Sequence, residues 1–373
     1  MTPGSGMDEI HLLIFVCMSA TALTDTTWMS RCFDLARRGI GRVSPNPPVG
    51  ALLVYQDRIL GEGYHQYYGG PHAEVNALFA VSDQDRHLIP DSTLYVSLEP
   101  CCITGKTPPC TDLILKEGIR DVRVSTTDPN PLVAGQGLNH LRNHGVRITG
   151  GILEEEGKSL IRPFATNILH QRPYVLLKWA QSRWGYAGIA EEQVWLSDPL
   201  TKTWSHSQRA QADAILVGAR TVSTDDPALT VREFPGRSPS RVIFDPNGRL
   251  GPGCRVFTDD GCPIYYFAFK TNPDLQLQHI TSIVINPEQD AFSQMLQTLF
   301  NHQVGILLAE GGPYLQKSII KQGLWDEAWV VQTQHPLDHG ITAPEVTGIK
   351  IDTNNTGHDQ IVGILNASRP KIV

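Results

Sequence analysis

The stretch that decides the fold runs from residue 71 to residue 110. It begins Pro71-His72-Ala73-Glu74, continues through Thr93-Leu94-Tyr95-Val96-Ser97-Leu98-Glu99-Pro100-Cys101, and closes on Thr107-Pro108-Pro109-Cys110. Pro71-His72 is placed to open a helix reaching Val81. Residues 93–98 read as a buried strand, 99–109 as a loop and 110–117 as a second helix. One imidazole and two thiolates make a three-ligand zinc site whose fourth position is left for water. Zinc lowers the pKa of such a water toward neutrality. Glu74, two residues past His72, need not be a ligand and is placed to carry protons. Alone, His72 reads as a surface or core histidine, and Cys101 with Cys110 as half of a structural zinc site. A structural site needs a fourth protein ligand. The near candidate is Cys102, whose adjacency to Cys101 makes joint ligation awkward, so it reads as incidental.

Working outward, Thr26 or Thr27 is placed to cap a helix with apolar positions Met29, Cys32, Phe33 and Ala36, ending at Gly39. Pro45-Asn46-Pro47-Pro48 is a rigid loop. Strands follow at 49–55 and 59–64, then at 122–125 and 146–149 with a helix at 137–143 between them. Strands alternating with helices make an α/β unit with a largely internal sheet. Residues 154–172 read as a connecting helix broken near Pro163. A second α/β domain begins at Pro173, with strands at 174–180, 214–218, 241–245, 264–267, 305–309, 328–333 and 360–365, and helices near 199–211, 290–301 and 313–322. The expected division is an extension over 1–25, a zinc domain over 26–150, a linker helix over 151–172 and a second domain over 173–373.

The chain has 373 residues, which suits two domains with cores of their own. Its net charge of −7 argues against nucleic acid as a partner, since that needs a basic footprint. A small anionic substrate needs only a few local cations. Seven cysteines at irregular spacing do not form a secreted disulfide framework. Three of them crowd into residues 101–110, which points to metal or catalysis in a reducing compartment and so to the cytoplasm. The apolar run 10–23 has a small-residue segment at Ala20-Thr21-Ala22 but lacks a basic n-region. It reads as a poorly ordered extension, or as the product of an upstream start with Met18 as the working one. The alternative is a signal peptide. The run is too short to cross a bilayer, and no other segment reads as a membrane span.

His-x-Glu, then Pro-Cys, then Cys at a helix start resembles the zinc deaminases, in which the carboxylate is the general acid/base. Nucleic-acid and cytidine deaminases usually close with Cys-x-x-Cys. Here eight residues separate Cys101 from Cys110, with Gly105-Lys106-Thr107-Pro108-Pro109 inside. Together with Pro45-Asn46-Pro47, Gly61-Glu62-Gly63-Tyr64-His65 and Asp128-Pro129-Asn130-Pro131, residues 27–150 resemble the deaminase half of the bifunctional riboflavin-biosynthesis deaminase–reductases. The resemblance implies a cytidine-deaminase-like three-layer domain. It also implies that Asn46 and His65 line a pyrimidine pocket and that Lys106 approaches the substrate phosphate. An Asn can read the amide edge of a ring and a Lys suits a phosphate. Where the family usually has Ser-His after the first zinc cysteine, this chain has Cys102-Ile103.

Residues 173–373 resemble the reductase half of the same family, a dihydrofolate-reductase-like fold that uses NADPH. The matching stretches are Pro173 to Lys178, Asp213-Ala214-Ile215-Leu216-Val217-Gly218 with Thr221, Asp225-Asp226-Pro227-Ala228-Leu229-Thr230-Val231-Arg232, and Glu310-Gly311-Gly312-Pro313. In the last, two glycines allow close backbone approach and Pro313 suits a first helical turn, whose N–H groups can hold cofactor phosphates. The resemblance places Ala180, Trp195, Thr221, Asp225, Gly312, Pro313, Tyr314, Leu315, Gln316, Lys317 and Ser318 at NADPH positions. It places Lys178, Arg209, Leu229, Arg232 and Glu310 at substrate positions, where each arginine could bind a sugar phosphate bidentately. The family's Ala-x-Ser-x-Asp-Gly appears as Ala180-Gln181-Ser182-Arg183-Trp184-Gly185. Gln193 and Pro246 replace family serines. Trp184 either narrows the nicotinamide pocket or turns outward.

The implied function is zinc-dependent deamination of 2,5-diamino-6-ribosylamino-4(3H)-pyrimidinone 5′-phosphate, followed by NADPH-dependent reduction of its ribosyl group to ribityl. A homodimer or tetramer is implied with it. The alternatives are a working deaminase joined to an impaired reductase (Trp184, Gln193), a nucleobase or RNA deaminase, and a silent zinc module that binds NADPH or flavin precursors as a sensor or scaffold.

Overall fold

The structure is a computed structural model and describes residues 24–104 and 108–368, so the apolar run at 10–23 and Lys106 lie outside it. Its first half is built on α1 (Asp25–Arg37), β1 (Gly50–Tyr55), β2 (Arg58–Tyr64), α2 (Ala73–Phe79), β3 (Thr93–Leu98), α3 (Cys110–Lys116), β4 (Asp121–Thr126), α4 (Gln136–Asn143) and β5 (Arg147–Thr149). The strands form one sheet in the order β2-β1-β3-β4-β5. β1 runs antiparallel to both neighbours, and β3, β4 and β5 run parallel. Strand alternation then makes three layers. Leu52 and Val54 of β1 face α1 and pack with Met29, Cys32 and Phe33. Ala51 and Leu53 face the other way, onto Ala73 and Ala77 of α2, Ile114 of α3 and Leu138 of α4. The cap of α1 is Thr24, whose hydroxyl accepts from Thr27 N–H at 3.4 Å, rather than Thr26 or Thr27.

The connection is two short helices, α5 (Glu154–Leu160) and α6 (Arg162–His170). The break falls at Ile161, and Pro163 lies in the first turn of α6, where its missing N–H costs nothing.

The second half comprises β6 (Tyr174–Gln181), β7 (Tyr186–Gly188), α7 (Pro199–Gln211), β8 (Ala214–Gly218), α8 (Ala219–Asp225), β9 (Ser240–Phe244), β10 (Ile264–Ala268), β11 (Ile280–Val284), α9 (Ala291–Asn301), β12 (Ile306–Ala309), α10 (Pro313–Lys321), β13 (Glu327–Gln332), β14 (Ile341–Thr342), β15 (Ile349–Thr356) and β16 (Asp359–Leu365). Nine strands make one sheet in the order β11-β10-β9-β8-β12-β6-β13-β16-β15. It is parallel from β11 to β13, and β16 pairs antiparallel with both β13 and β15. β7, β11, β14, β15 and α8 were not expected from the sequence. One face carries Val175, Leu177, Leu216 and Leu307 against α9 and α10; the other carries Ile215, Val217 and Ile243 against the 246–262 loop. The sheet places the C-terminal ends of β6, β8 and β12 side by side, where a parallel sheet opens its ligand crevice.

Candidate active sites

Three elements converge on the first site. His72 is the residue before α2, Cys101 follows β3, and Cys110 is the first residue of α3. His72 Nδ1 lies 3.5 Å from Cys101 Sγ and 3.3 Å from Cys110 Sγ. Among the described residues this is the group whose donor atoms all fall within 4.8 Å of one another. The Cys110 N–H donates to Cys101 Sγ at 3.3 Å. The Cys110 thiol's hydrogen bond, assisted by His72, outweighs burial and pulls the Cys101 thiol well below its ordinary pKa. One imidazole and two sulfurs are a donor set that zinc fits, with a fourth position left over. Cys102 stands outside the group.

Glu74 lies in the first turn of α2 and is buried at 3% exposure. Burial first, then the Cys101 charge, pushes its carboxyl up to about 7, into the range where a carboxyl both takes and gives protons. Asn46 and His65 meet as expected: Asn46 Nδ2 lies 3.2 Å from His65 Nε2, and His65 Nδ1 lies 2.9 Å from the Pro71 carbonyl. His65 therefore donates from Nδ1 and accepts at Nε2 as a neutral ring, and burial lowers its pKa in the same sense. With its amide N–H used this way, Asn46 presents Oδ1 as its acceptor. Ile103 is exposed.

Sequence reasoning missed Glu99. This buried carboxylate accepts the backbone N–H groups of Asp128 (3.1 Å), Gly135 (2.8 Å), Gly137 (2.9 Å) and Leu138 (3.3 Å). It thereby ties the Asp128-Pro129-Asn130-Pro131 loop to the strand end that carries Cys101. A glutamate at the end of an apolar strand was the available signal.

In the second half, Lys178 on β6, Arg209 on α7 and Glu310 just past β12 form a buried ion cluster. Lys178 Nζ lies 3.3 Å from Glu310 Oε1, and Arg209 Nη2 lies 2.6 Å from Oε2. Arg209 Nη1 donates to the Thr230 carbonyl at 3.3 Å. Arg209 therefore turns its bidentate edge toward Glu310. Arg232 is exposed and touches Thr230 Oγ1 at 2.9 Å. Leu229 is buried with φ of 57°, a left-handed backbone that costs a non-glycine residue energy.

At the strand ends, a Cβ on Gly311 would lie 2.6 Å from Val217 Cα, and one on Gly312 would lie 2.9 Å from Thr221 Oγ1. Gly312 has φ of 61° and leads into α10, whose first turn has N–H groups without intrahelical partners. This cradle, which side chains would fill, fits a dinucleotide phosphate. Arg220 stacks over Tyr314 at 4.5 Å, and Lys202 lies 5.6 Å from the Trp195 ring. Ala180 lies near the end of β6, and the Asp225 carbonyl accepts from Gln193 Nε2 at 3.5 Å. Burial raises the Asp225 carboxyl. The Gln316 side chain is committed inward, donating to the carbonyls of Lys178 (2.8 Å) and Ala309 (2.9 Å). Leu315 packs on the core, Lys317 binds Thr342 Oγ1 at 2.7 Å, and Ser318 meets Gln322 at 3.3 Å. Of this run, the helix start and Tyr314 are what the fold offers a ligand. Trp184 turns outward, 57% exposed, with Arg183 over its ring at 4.9 Å.

A His/Cys/Cys group able to hold a metal, beside a buried glutamate and joined to a sheet whose Gly-Gly helix start fits a phosphate, is the arrangement of a zinc deaminase fused to a nucleotide-dependent reductase. Residues 23–126 match the cytidine and deoxycytidylate deaminase zinc-binding region, and residues 173–338 match the RibD C-terminal domain. The riboflavin biosynthesis protein RibD of Aquifex aeolicus is 35% identical over 351 residues, covering 93% of this chain and 95% of that one. The RibD of Escherichia coli is 34% identical, covering 82% and 86%. The crystal structure of a diaminohydroxyphosphoribosylaminopyrimidine deaminase/5-amino-6-(5-phosphoribosylamino)uracil reductase from Thermotoga maritima superposes with a TM-score of 0.84 at 33% identity, covering 92% of this chain and 98% of that one. The chain belongs to the RibD family of bifunctional riboflavin-biosynthesis enzymes. Its fold class is accordingly a cytidine-deaminase-like domain followed by a dihydrofolate-reductase-like one, and its cofactors are zinc and NADPH. Among the described residues no helix is long and apolar enough to cross a membrane.

Proposed function

We propose that the chain deaminates 2,5-diamino-6-ribosylamino-4(3H)-pyrimidinone 5′-phosphate and then reduces the ribosyl group of the product to ribityl. The observation that carries this is the convergence of His72, Cys101 and Cys110 beside the buried Glu74 carboxyl. When bound, zinc supplies the Lewis acidity that makes water a nucleophile near neutral pH, and NADPH supplies the hydride. Glu74 takes a proton from the attacking water and returns one to the departing amine, so water enters and ammonia leaves with charge balanced. Asn46 Oδ1 accepts a ring N–H, and neutral His65 holds Asn46 in that orientation. Lys106, which lies outside the described residues, is assigned to the phosphate by the family resemblance. In the reductase, Lys178, Arg209, Leu229, Arg232 and Glu310 bind the pentose side of the substrate. Ala180, Trp195, Thr221, Asp225 and the start of α10 bind NADPH. The work of these groups is positioning, because hydride transfer needs no covalent step from a side chain.

The deaminase spans 26–150, the two connecting helices 151–172 and the reductase 173–373. The six described cysteines are all unpaired, which supports a cytoplasmic enzyme. The family resemblance supports a homodimer or tetramer. The outward turn of Trp184 supports a working reductase over an impaired one.

The test is one assay with two readouts. Zinc-loaded protein receives the diaminopyrimidinone phosphate and NADPH, and ammonia release and NADPH oxidation are followed together. Both are expected, and Glu74→Gln abolishes both because the reductase is starved. Ammonia without NADPH oxidation would leave a deaminase alone, and no ammonia would overturn the reading.

A further inference from the structure

We propose that Asp213, in the reductase domain, is a positioning residue for the deaminase pocket. It holds loop 41–46 by way of Ser44 and Arg237 and so fixes where Asn46 stands. The inference rests on the reading of Asn46 as a substrate contact. Asp213 precedes β8, and its Oδ2 accepts the N–H groups of Gly305 (3.0 Å) and Ile306 (2.9 Å), which pin the carboxylate to the start of β12. The same oxygen accepts from Ser44 Oγ at 2.5 Å, 169 residues away in sequence and two before Asn46. Its Oδ1 takes Arg237 Nη2 at 2.6 Å, and Arg237 Nε donates to the Gly41 carbonyl at 2.6 Å. One carboxylate, pinned at the start of β12, thus holds a deaminase loop at Ser44 directly and at Gly41 through Arg237.

The loop also lies flush on the reductase. Gly41 has φ of 83°, and a Cβ there would come 2.5 Å from the carbonyl of Ala210, the neighbour of Arg209 on α7. The loop is also tied within the deaminase, by Tyr68 N–H to the Arg42 carbonyl at 3.0 Å, Asn46 N–H to the Val43 carbonyl at 2.9 Å, and Asn46 to His65. A short, partly buried hydrogen bond to a carboxylate is among the stronger side-chain links, and freeing one end lets the loop wander. Small displacements of a binding group weaken its grip without touching the metal chemistry.

Ser44→Ala, Asp213→Asn and the double variant are purified with zinc and assayed for each activity with its own substrate. Ser44→Ala is expected to raise the deaminase KM about five- to tenfold with kcat within about twofold. Zinc content and the reductase KM stay as in the parent. The double variant is expected to be no worse than Asp213→Asn alone, because both cut one link. A deaminase KM within about twofold of the parent in Ser44→Ala overturns the proposal, whether or not Asp213→Asn folds. So do equal losses in both activities, the mark of domains merely cemented together, and so does simple additivity in the double variant. Absence of ammonia release from the parent protein overturns the underlying function instead, and this inference with it.

Discussion

Arg209 closes on Glu310 across 101 residues of sequence, with Nε at 3.1 Å from each carboxylate oxygen and Nη2 at 2.6 Å from one of them. Lys178 joins from β6, so two buried cations share one buried anion. Burial alone would raise the Glu310 carboxyl, but Arg209 and then Lys178 outweigh it and hold it at about 2, below the ordinary 4.5. The same burial lowers the Lys178 pKa despite its partner.

Removing this anion is costly. Glu310→Gln leaves two buried cations without a counter-charge and is expected to destabilise the protein by about 3–5 kcal/mol and to silence the reductase. Because the folded carboxyl lies below its unfolded value, its stabilisation is complete above pH 4.5 and is lost as pH falls toward about 2. Urea unfolding across that window checks both points: the parent should lose stability on acidification in a component that Glu310→Gln lacks.

Cys110→Ser tests the metal centre without disturbing the core, since the residue is buried and the change is nearly isosteric. A serine hydroxyl stays protonated and is a poor zinc ligand, so zinc affinity should fall by more than the 10–100-fold typical of outer-shell changes. Metal analysis after dialysis and ammonia release should fall together. NADPH oxidation on the deaminated substrate should persist. Ammonia release at the parent rate from metal-free protein would remove zinc from the chemistry.

The strands that form the middle of each sheet were legible because burial on both faces leaves a continuous apolar run. Residues 93–98 and 214–218 fall at the expected bounds. Residues 349–356, Ile-Lys-Ile-Asp-Thr-Asn-Asn-Thr, make a strand on an exposed sheet edge, so neither face imposes a pattern. Helix 219–225 buries Val222 alone and has no period to read. The His72, Glu74, Cys101 and Cys110 site was legible because metal chemistry fixes residue types at short spacing. The Arg209–Glu310 and Ser44–Asp213 links join distant segments, and the local sequence carries no mark of either. Family resemblance could group Arg209 with Glu310 at a substrate position, but not show that each is the other's partner.

Gly312→Ala probes the phosphate cradle. The residue has φ of 61° and ψ of 123°, a sparsely populated region that costs an L side chain about 1–3 kcal/mol. The added methyl would also meet Thr221 Oγ1 at 2.9 Å. The helix start must shift to relieve this, so NADPH affinity, followed by fluorescence titration, should drop by about tenfold or more. Deaminase activity should be untouched. Unchanged NADPH affinity would place the phosphates elsewhere on the sheet.

Trp184 stands where the family resemblance implies an acidic residue, so Trp184→Asp restores the implied pattern. The ring is 57% exposed and stacks on Arg183 rather than on the core. Its backbone N–H donates to Ser182 Oγ at 3.3 Å, a bond the substitution leaves intact. What is lost is a surface cation–π contact of about 0.5–1 kcal/mol. The NADPH KM and the reductase kcat should therefore stay within about threefold of the parent, as surface changes usually do. If instead Trp184→Asp raised kcat/KM more than about tenfold, over 1.4 kcal/mol of barrier would trace to this ring. The indole would then have to swing into the nicotinamide crevice during turnover, and the departure from the family pattern would be a brake on the reductase.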